Sequence, residues 1–242
     1  MTHEAARGFD TSGERYERGR PDYPDAAIDR LLEELGRPAR VLDVGAGTGK
    51  LTRPLLARGV SVVAVEPAAA MRETLRRLAP DAEIHGASAD ALPLQDGSVD
   101  AVVAGQAFHW FSTAAALDEF ARVLAPEGRL GLIWNRRDKR QPIQRALEAI
   151  MAPHRKDSPE HGREEWRAVF TAEAPFVPVA EHELENVQRL DADGVADRVL
   201  SVSFMAALPQ PERDAAGARV RALAREPVEL RYVTELFVYA RR

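Results

Sequence analysis

The stretch "VLDVGAGTGKLTRPLLARG", residues 41–59, decides how this chain folds. An apolar run stops at three glycines spaced two apart, Gly45, Gly47 and Gly49, and a helix-prone segment follows at once. Glycines permit positive φ and close approach of backbone to a ligand, while a helix N-terminus offers unbonded N–H groups and a partial positive charge. Such a junction suits a nucleotide-type ligand, and spacing separates the kinds of loop that use it. A phosphate-binding P-loop, G-x-x-x-x-G-K-[ST], counted back from Gly49–Lys50, meets Val44 at its first glycine and Leu51 at its Ser/Thr, and is excluded. The dinucleotide pattern G-x-G-x-x-G needs glycine where Lys50 stands and stays open as an alternative.

Outward from the loop, extended and helical runs alternate. Residues 40–45, 60–66, 82–88, 98–106 and 128–135 read as strands, mostly continuous apolar segments rich in Val and Ile, the pattern of strands covered on both faces. Helical segments at 22–35, 49–58, 68–79 and 112–124 separate them. This order is an α/β parallel sheet with helices on both sides. After Asn135 the rhythm changes: 136–170 is charged and helix-prone, broken by Pro153 and Pro159, and reads as an inserted cap. Runs at 179–190 and 228–242 alternate apolar and polar residues, as an antiparallel pair finishing the sheet would, with helical stretches at 191–201 and 211–226.

Composition bounds the function. With 45% hydrophobic and 29% charged residues the chain is expected to fold as a globular protein. Its 33 Lys and Arg are outnumbered by 38 Asp and Glu and are scattered or paired with acids, which argues against a nucleic-acid partner. Cysteine is absent, so disulfides, thiolate zinc sites and cysteine nucleophiles are excluded, and a reducing cytoplasm fits. The N-terminus is polar where a signal peptide would be apolar, and no run approaches a membrane span, so a soluble, unexported, cytoplasmic protein is expected.

Asp43, two residues before Gly45, completes acid-x-G-x-G-x-G, and the second strand ends in Glu66, 21 residues after Gly45. Together with "EPAAAMRETL", "SADALPLQDGSVDAVV" and "DGSVDAVVAGQAFHWF", this resembles the class I S-adenosylmethionine methyltransferases of the type 11 kind, over roughly 15–135. The opening "RYERGRPDYP" and "AFHWF" are similar to the small-molecule subgroup that contains trans-aconitate methyltransferases. The resemblance implies a Rossmann-like, mostly parallel seven-stranded sheet with an antiparallel C-terminal strand and a small helical cap. It divides the chain into an N-terminal lid (1–38), a cofactor-binding core (39–135), a cap (136–175) and a C-terminal part of the sheet (176–242).

The implied cofactor is S-adenosyl-L-methionine, with S-adenosyl-L-homocysteine as product. By resemblance Gly45, Ala46 and Gly47 face the donor, Glu66 accepts from the ribose hydroxyls, Met71 lies against the adenine, Asp90 takes its exocyclic amine between Ala89 and Ala91, and Pro67 is a further cofactor-binding residue. Gln106 stands at the methyl-transfer face; Tyr16 and Arg20, with Tyr23, lie in a lid segment where Arg20 could pair with the donor's carboxylate. His109 is the catalytic candidate, either as a base for a hydroxyl, phenol or amine acceptor or as part of a wall with Trp110 and Phe111. Arg136 and Arg137 in "NRRDKR" are candidate clamps for an acidic substrate, unless Asp138 neutralises one of them. Asp43 is expected as a buried organiser of the loop, Trp134 and Trp166 as packing residues, and His85, His154 and His161 as no part of a zinc site; no metal is assigned.

The function expected is methyl transfer to a small-molecule acceptor, at oxygen in preference to nitrogen or carbon, by a monomer or homodimer. A silent S-adenosylmethionine-binding protein and a nicotinamide-dependent oxidoreductase are the competing readings.

Overall fold

The computed structural model describes residues 13–155, 165–225 and 227–242. Strands β1 (Arg40–Val44), β2 (Ser61–Val65), β3 (Glu83–His85), β4 (Val99–Gly105) and β5 (Leu124–Arg137) are joined in parallel, with β1 in the middle of the first four. Two long strands, β6 (Phe176–Leu190) and β7 (Val228–Arg241), complete a seven-stranded sheet in the order β3-β2-β1-β4-β5-β7-β6. β7 runs antiparallel to both its neighbours. The chain reverses its strand order at β1 and β4, and a crevice opens there at the carboxyl ends, the place where ligands bind in open α/β sheets.

Burial on both faces explains why these strands read as unbroken apolar runs. Neighbouring residues feed opposite layers: Val41, Val62, Ala101, Val103 and Ile133 join Ile28 and Leu31 of α2 (Asp25–Glu34) and Leu55 of α3 (Thr52–Leu56). On the other face Leu42, Val63, Val102, Leu132 and Trp134 join Leu117 and Phe120 of α5 (Ala114–Val123). α5 starts where the Thr113 hydroxyl accepts the Ala116 N–H at 3.2 Å, satisfying one of its free donors. The remaining helix of this half, α4 (Ala69–Leu78), follows β2. A short α1 (Gly13–Gly19) lies at the N-terminal end of the described residues.

A third apolar cluster joins α6 (Pro142–Met151) to α7 (Ala192–Leu200) and α9 (Gln210–Leu223) through Leu147, Ile150, Val195, Val199 and Val220, over Leu230 and Tyr232 of β7. A single turn, α8 (Ser203–Ala206), links α7 to α9. Of the helix-prone 136–170, only α6 is α-helical among the described residues. Two 3-10 turns follow at Ala152–His154 and Glu165–Val169, and Pro159 and His161 lie outside the described residues.

Two expectations shift. The third strand shrinks from 82–88 to Glu83–His85, because it is the outer strand and its residues are only partly covered. The fifth lengthens from 128–135 to Leu124–Arg137, since pairing with β7 runs through Arg137.

Candidate active site

The glycine loop is built from below. Asp43, at the end of β1, is fully buried, and its Oδ2 accepts the Thr52 hydroxyl at 2.6 Å, tying the strand to the start of α3. Burial pushes this carboxyl up to about 7; the Thr52 bond opposes the shift and the negative Glu66 adds to it. Its Oδ1 is buried without a protein partner. Above it, the N–H groups of Gly45 and Ala46 both donate to the Val65 carbonyl, at 2.8 and 3.1 Å, drawing the loop across to β2.

Gly45 sits at φ 71°, and a Cβ there would come 2.8 Å from the Ala107 Cβ, so only glycine fits against the segment after β4. Gly47, at φ 59°, has nothing within 4 Å of where its Cβ would be. Glu66 follows β2, largely buried, with Oε2 accepting the Gly47 N–H at 2.9 Å and Oε1 accepting the Ala68 N–H at 2.8 Å.

A cleft of about 450 Å³, open mouth included, lies at this edge of the sheet. Asp43, Gly45, Ala46 and Lys50 wall it on the loop side, and Gly105 and Gln106 on the β4 side. Tyr16, Arg20, Tyr23 and Arg198 form the wall beneath α1 and α7. Gln106 holds φ 58°, unusual for a residue with a side chain, while its N–H donates to Ile133 at 2.9 Å and its side-chain Nε2 to the Asn135 carbonyl at 3.3 Å.

Five of the residues expected to meet the cofactor therefore share one cleft: Tyr16, Arg20, Gly45, Ala46 and Gln106. Gly47 and Glu66 stand beside it, joined to each other. Pro67, Met71, Ala89, Asp90 and Ala91 do not line it. Met71 and Ala89 are buried, and Pro67, Asp90 and Ala91 are exposed. Asp90 accepts the Ser88 hydroxyl at 2.5 Å, which holds its carboxyl below the usual range.

His109 lies on a 3-10 turn, Phe108–Trp110, and its Nδ1 accepts the Trp134 indole N–H at 3.3 Å. Trp134 itself is fully buried, its ring centroid 4.8 Å from that of Trp166. The basic cluster at the end of β5 is spoken for. Arg136 bonds Glu235 and Glu183 at 2.5 and 3.0 Å, and Arg137 bonds Glu148 at 2.9 Å. Asp138 neutralises neither; it pairs with Arg140 at 2.8 Å. Among the described residues no group of three or more His, Cys, Asp or Glu could hold a metal ion.

Three features escaped the sequence reading. Glu17 ties α1 to the loop, accepting the Thr48 hydroxyl at 2.7 Å and bonding Arg53, with Lys50 3.6 Å away. Lys50, read only as the residue that breaks the dinucleotide pattern, lines the cleft and pairs with Asp22 at 2.8 Å. Arg198, in a stretch with no motif, is a buried arginine facing the same cleft. Its one sequence signal is its place three residues after Val195, on the side of α7 that packs inward.

Comparison with known proteins agrees with this architecture. The family model "Methyltransferase domain" matches residues 42–132. An uncharacterized methyltransferase of Mycobacterium tuberculosis (strain H37Rv) is 44% identical over 208 residues, covering 86% of this chain and 82% of its own length. A malonyl-[acyl-carrier protein] O-methyltransferase of Halorhodospira halophila is 42% identical over 137 residues, covering 50% of this chain and 44% of its own. Among solved structures, geranyl diphosphate C-methyltransferase from Streptomyces coelicolor, in complex with S-adenosyl-L-homocysteine, superposes with a TM-score of 0.53 at 18% identity, over 90% of this chain and 79% of its own, a likeness of fold alone. The chain belongs to the class I S-adenosylmethionine-dependent methyltransferases.

Proposed function

We propose that this methyltransferase transfers the methyl group to an oxygen of a small-molecule acceptor, a carboxylate or a hydroxyl, with the donor seated on the glycine loop. The Glu66–Gly47 junction carries the reading. A carboxylate held by two backbone N–H groups keeps a further lone pair on each oxygen, enough to accept from both hydroxyls of a ribose. Open space over Gly47 leaves room for the sugar to approach the main chain. Arg20 serves the donor's carboxylate as a planar, two-pronged partner. In this reading Met71 and Ala89, both buried, back the adenine from within the core, with Pro67 and Ala91 at its border, and Asp90, whose carboxyl Ser88 holds low, accepts from its amine.

The donor supplies a sulfonium methyl whose leaving group is already in place, so the protein chiefly aligns the partners and keeps water out, which is worth several kcal/mol. A carboxylate oxygen needs no proton removed: as its bond to the methyl carbon forms, the sulfur–carbon bond breaks and the electron pair leaves with sulfur. His109 suits that chemistry. Because its Nδ1 accepts from Trp134, the neutral ring carries its proton on Nε2, which makes that nitrogen a donor and not a base, and His109 stands outside the cleft's lining. The O-methyltransferase among the relatives supports oxygen as the acceptor atom. Incubation of the protein with S-adenosylmethionine and a panel of carboxylic acids, phenols, amines and activated carbon acids, read by mass shift, tests this. Methyl esters or ethers are the expected products; methylated amines or carbon products alone would overturn the oxygen assignment.

A further inference from the structure

We infer that Arg198 is an acceptor-binding residue that holds a carboxylate or phosphate group of the substrate across the cleft from the glycine loop. The inference rests on the seating of the donor proposed above and names the class of acceptor.

Arg198 and Arg20 face one cleft, whose one acidic lining residue, Asp43, pairs with neither. Arg198 is 5% exposed, and its Nε donates to the Tyr232 hydroxyl at 3.0 Å, which in turn donates to Gln188 Oε1 at 3.2 Å. Arg20 donates from Nη2 to the Ser201 carbonyl at 2.9 Å and lies 4.9 Å from the Tyr16 ring centroid, while its Nε is buried with no partner. Neither guanidinium forms an ion pair with any described residue; the arginines nearby on the surface do, as Arg18 shows with Asp197 at 2.9 Å. Burial and the proximity of Arg198 draw the Arg20 guanidinium down to about 10, the mark of cations crowded together. Arg137 adds to that crowding although Glu148 partners it.

Two enclosed, unneutralised cations are costly unless an anion joins them. The donor does not meet the need by itself: its carboxylate is outweighed by an ammonium and a sulfonium, leaving one net positive charge. Arg20 reaches the donor's carboxylate from the lid, and the second guanidinium is left for the acceptor. Tyr232 and Gln188 fix the Arg198 fork through its Nε and are positioning residues.

The test uses the full-length protein saturated with S-adenosylhomocysteine and titrated calorimetrically with glutarate and with glycerol 3-phosphate, against their neutral counterparts glutaramide and glycerol. At least one anion is expected to bind and its neutral counterpart not; glutarate alone assigns a carboxylate group, glycerol 3-phosphate alone a phosphate. Arg198→Gln is expected to lower that affinity at least tenfold while S-adenosylhomocysteine affinity stays within twofold, which also reports an intact fold. Arg198→Lys restores part of the binding. Should Arg198→Gln fail to fold, Tyr232→Phe, which removes only the hydroxyl orienting the fork, is expected to weaken anion binding several-fold. The inference is overturned if neither anion binds, if the variants bind it like the wild type, or if Arg198→Gln loses S-adenosylhomocysteine instead. A wild-type protein that fails to bind S-adenosylhomocysteine would sink the donor reading, a separate outcome.

Discussion

Asp43 stores a charge where charge is expensive, and that makes it a pH-sensitive residue. Its folded carboxyl titrates near 7 against an ordinary 3.8, so the folded state holds the proton more tightly than the unfolded chain. Its contribution to stability is full below the ordinary value and is lost progressively as pH rises from there through about 7. Asp43→Asn, which keeps the size and an acceptor for Thr52, is expected to gain stability relative to wild type as pH goes from 4 to 8 without ligand. Denaturant melts at several pH values check this, and a pH-independent difference would contradict it. At His109 the bond from Trp134 argues for a donor. His109→Ala is expected to slow turnover less than tenfold, with a flat kcat between pH 5.5 and 7.5. A loss of a hundredfold or more, with a wild-type kcat rising through about 6.5, would restore the base.

At the scale of elements, α1 is held at both ends of its packing. α1 is clamped on one side to the loop through Glu17 and on the other to α7 through Arg18–Asp197, while the Gly19 carbonyl accepts Gln188 Nε2 at 3.1 Å. Gly19 permits this approach: a Cβ would lie 2.5 Å from the Asp197 carbonyl carbon and 2.6 Å from the Arg198 nitrogen, main chain that cannot swing aside. Gly19→Ala is expected to cost about 1–3 kcal/mol of stability and to weaken S-adenosylhomocysteine binding, as α1 is pushed off α7. Unchanged melting and affinity would show that α1 does not close the cleft. The resemblance pointed to a lid over 1–38, but these clamping contacts were not legible in the sequence. The loop and its strands announce themselves because glycine spacing and doubly covered strands leave local patterns. Glu17 and Arg198 act through partners 31 to 34 positions or more away, and no local pattern points to those partners.

At the scale of the whole molecule, topology converts separate sequence segments into one site. The parallel order around β1 brings the ends of β1, β2 and β4 together, so that Asp43, Glu66 and Gln106, far apart in sequence, meet at one crevice. β6 and β7 then extend the sheet and carry Tyr232 and Gln188 behind Arg198. Alternation in 179–190 and 228–242 revealed these strands, but not that the later one would slot between β5 and the earlier one. That placement is what joins a C-terminal stretch without a motif to the cleft beside the glycine loop. The outer edge strand β6 carries Glu181, Glu183, Glu185 and Arg189, charges of the kind that discourage edge-to-edge pairing.

The central claim is that the main chain at Gly45–Gly47 and the Glu66 carboxylate together hold the adenosyl donor. Calorimetric titration of S-adenosylhomocysteine into wild type and Glu66→Ala addresses it most directly. One-to-one binding is expected, weakened in the variant by about 1–3 kcal/mol, the scale of hydrogen bonds to a charged group, with no binding of NAD to either protein. Equal affinity in a folded Glu66→Ala variant, or saturable binding of NAD in place of S-adenosylhomocysteine, would contradict it.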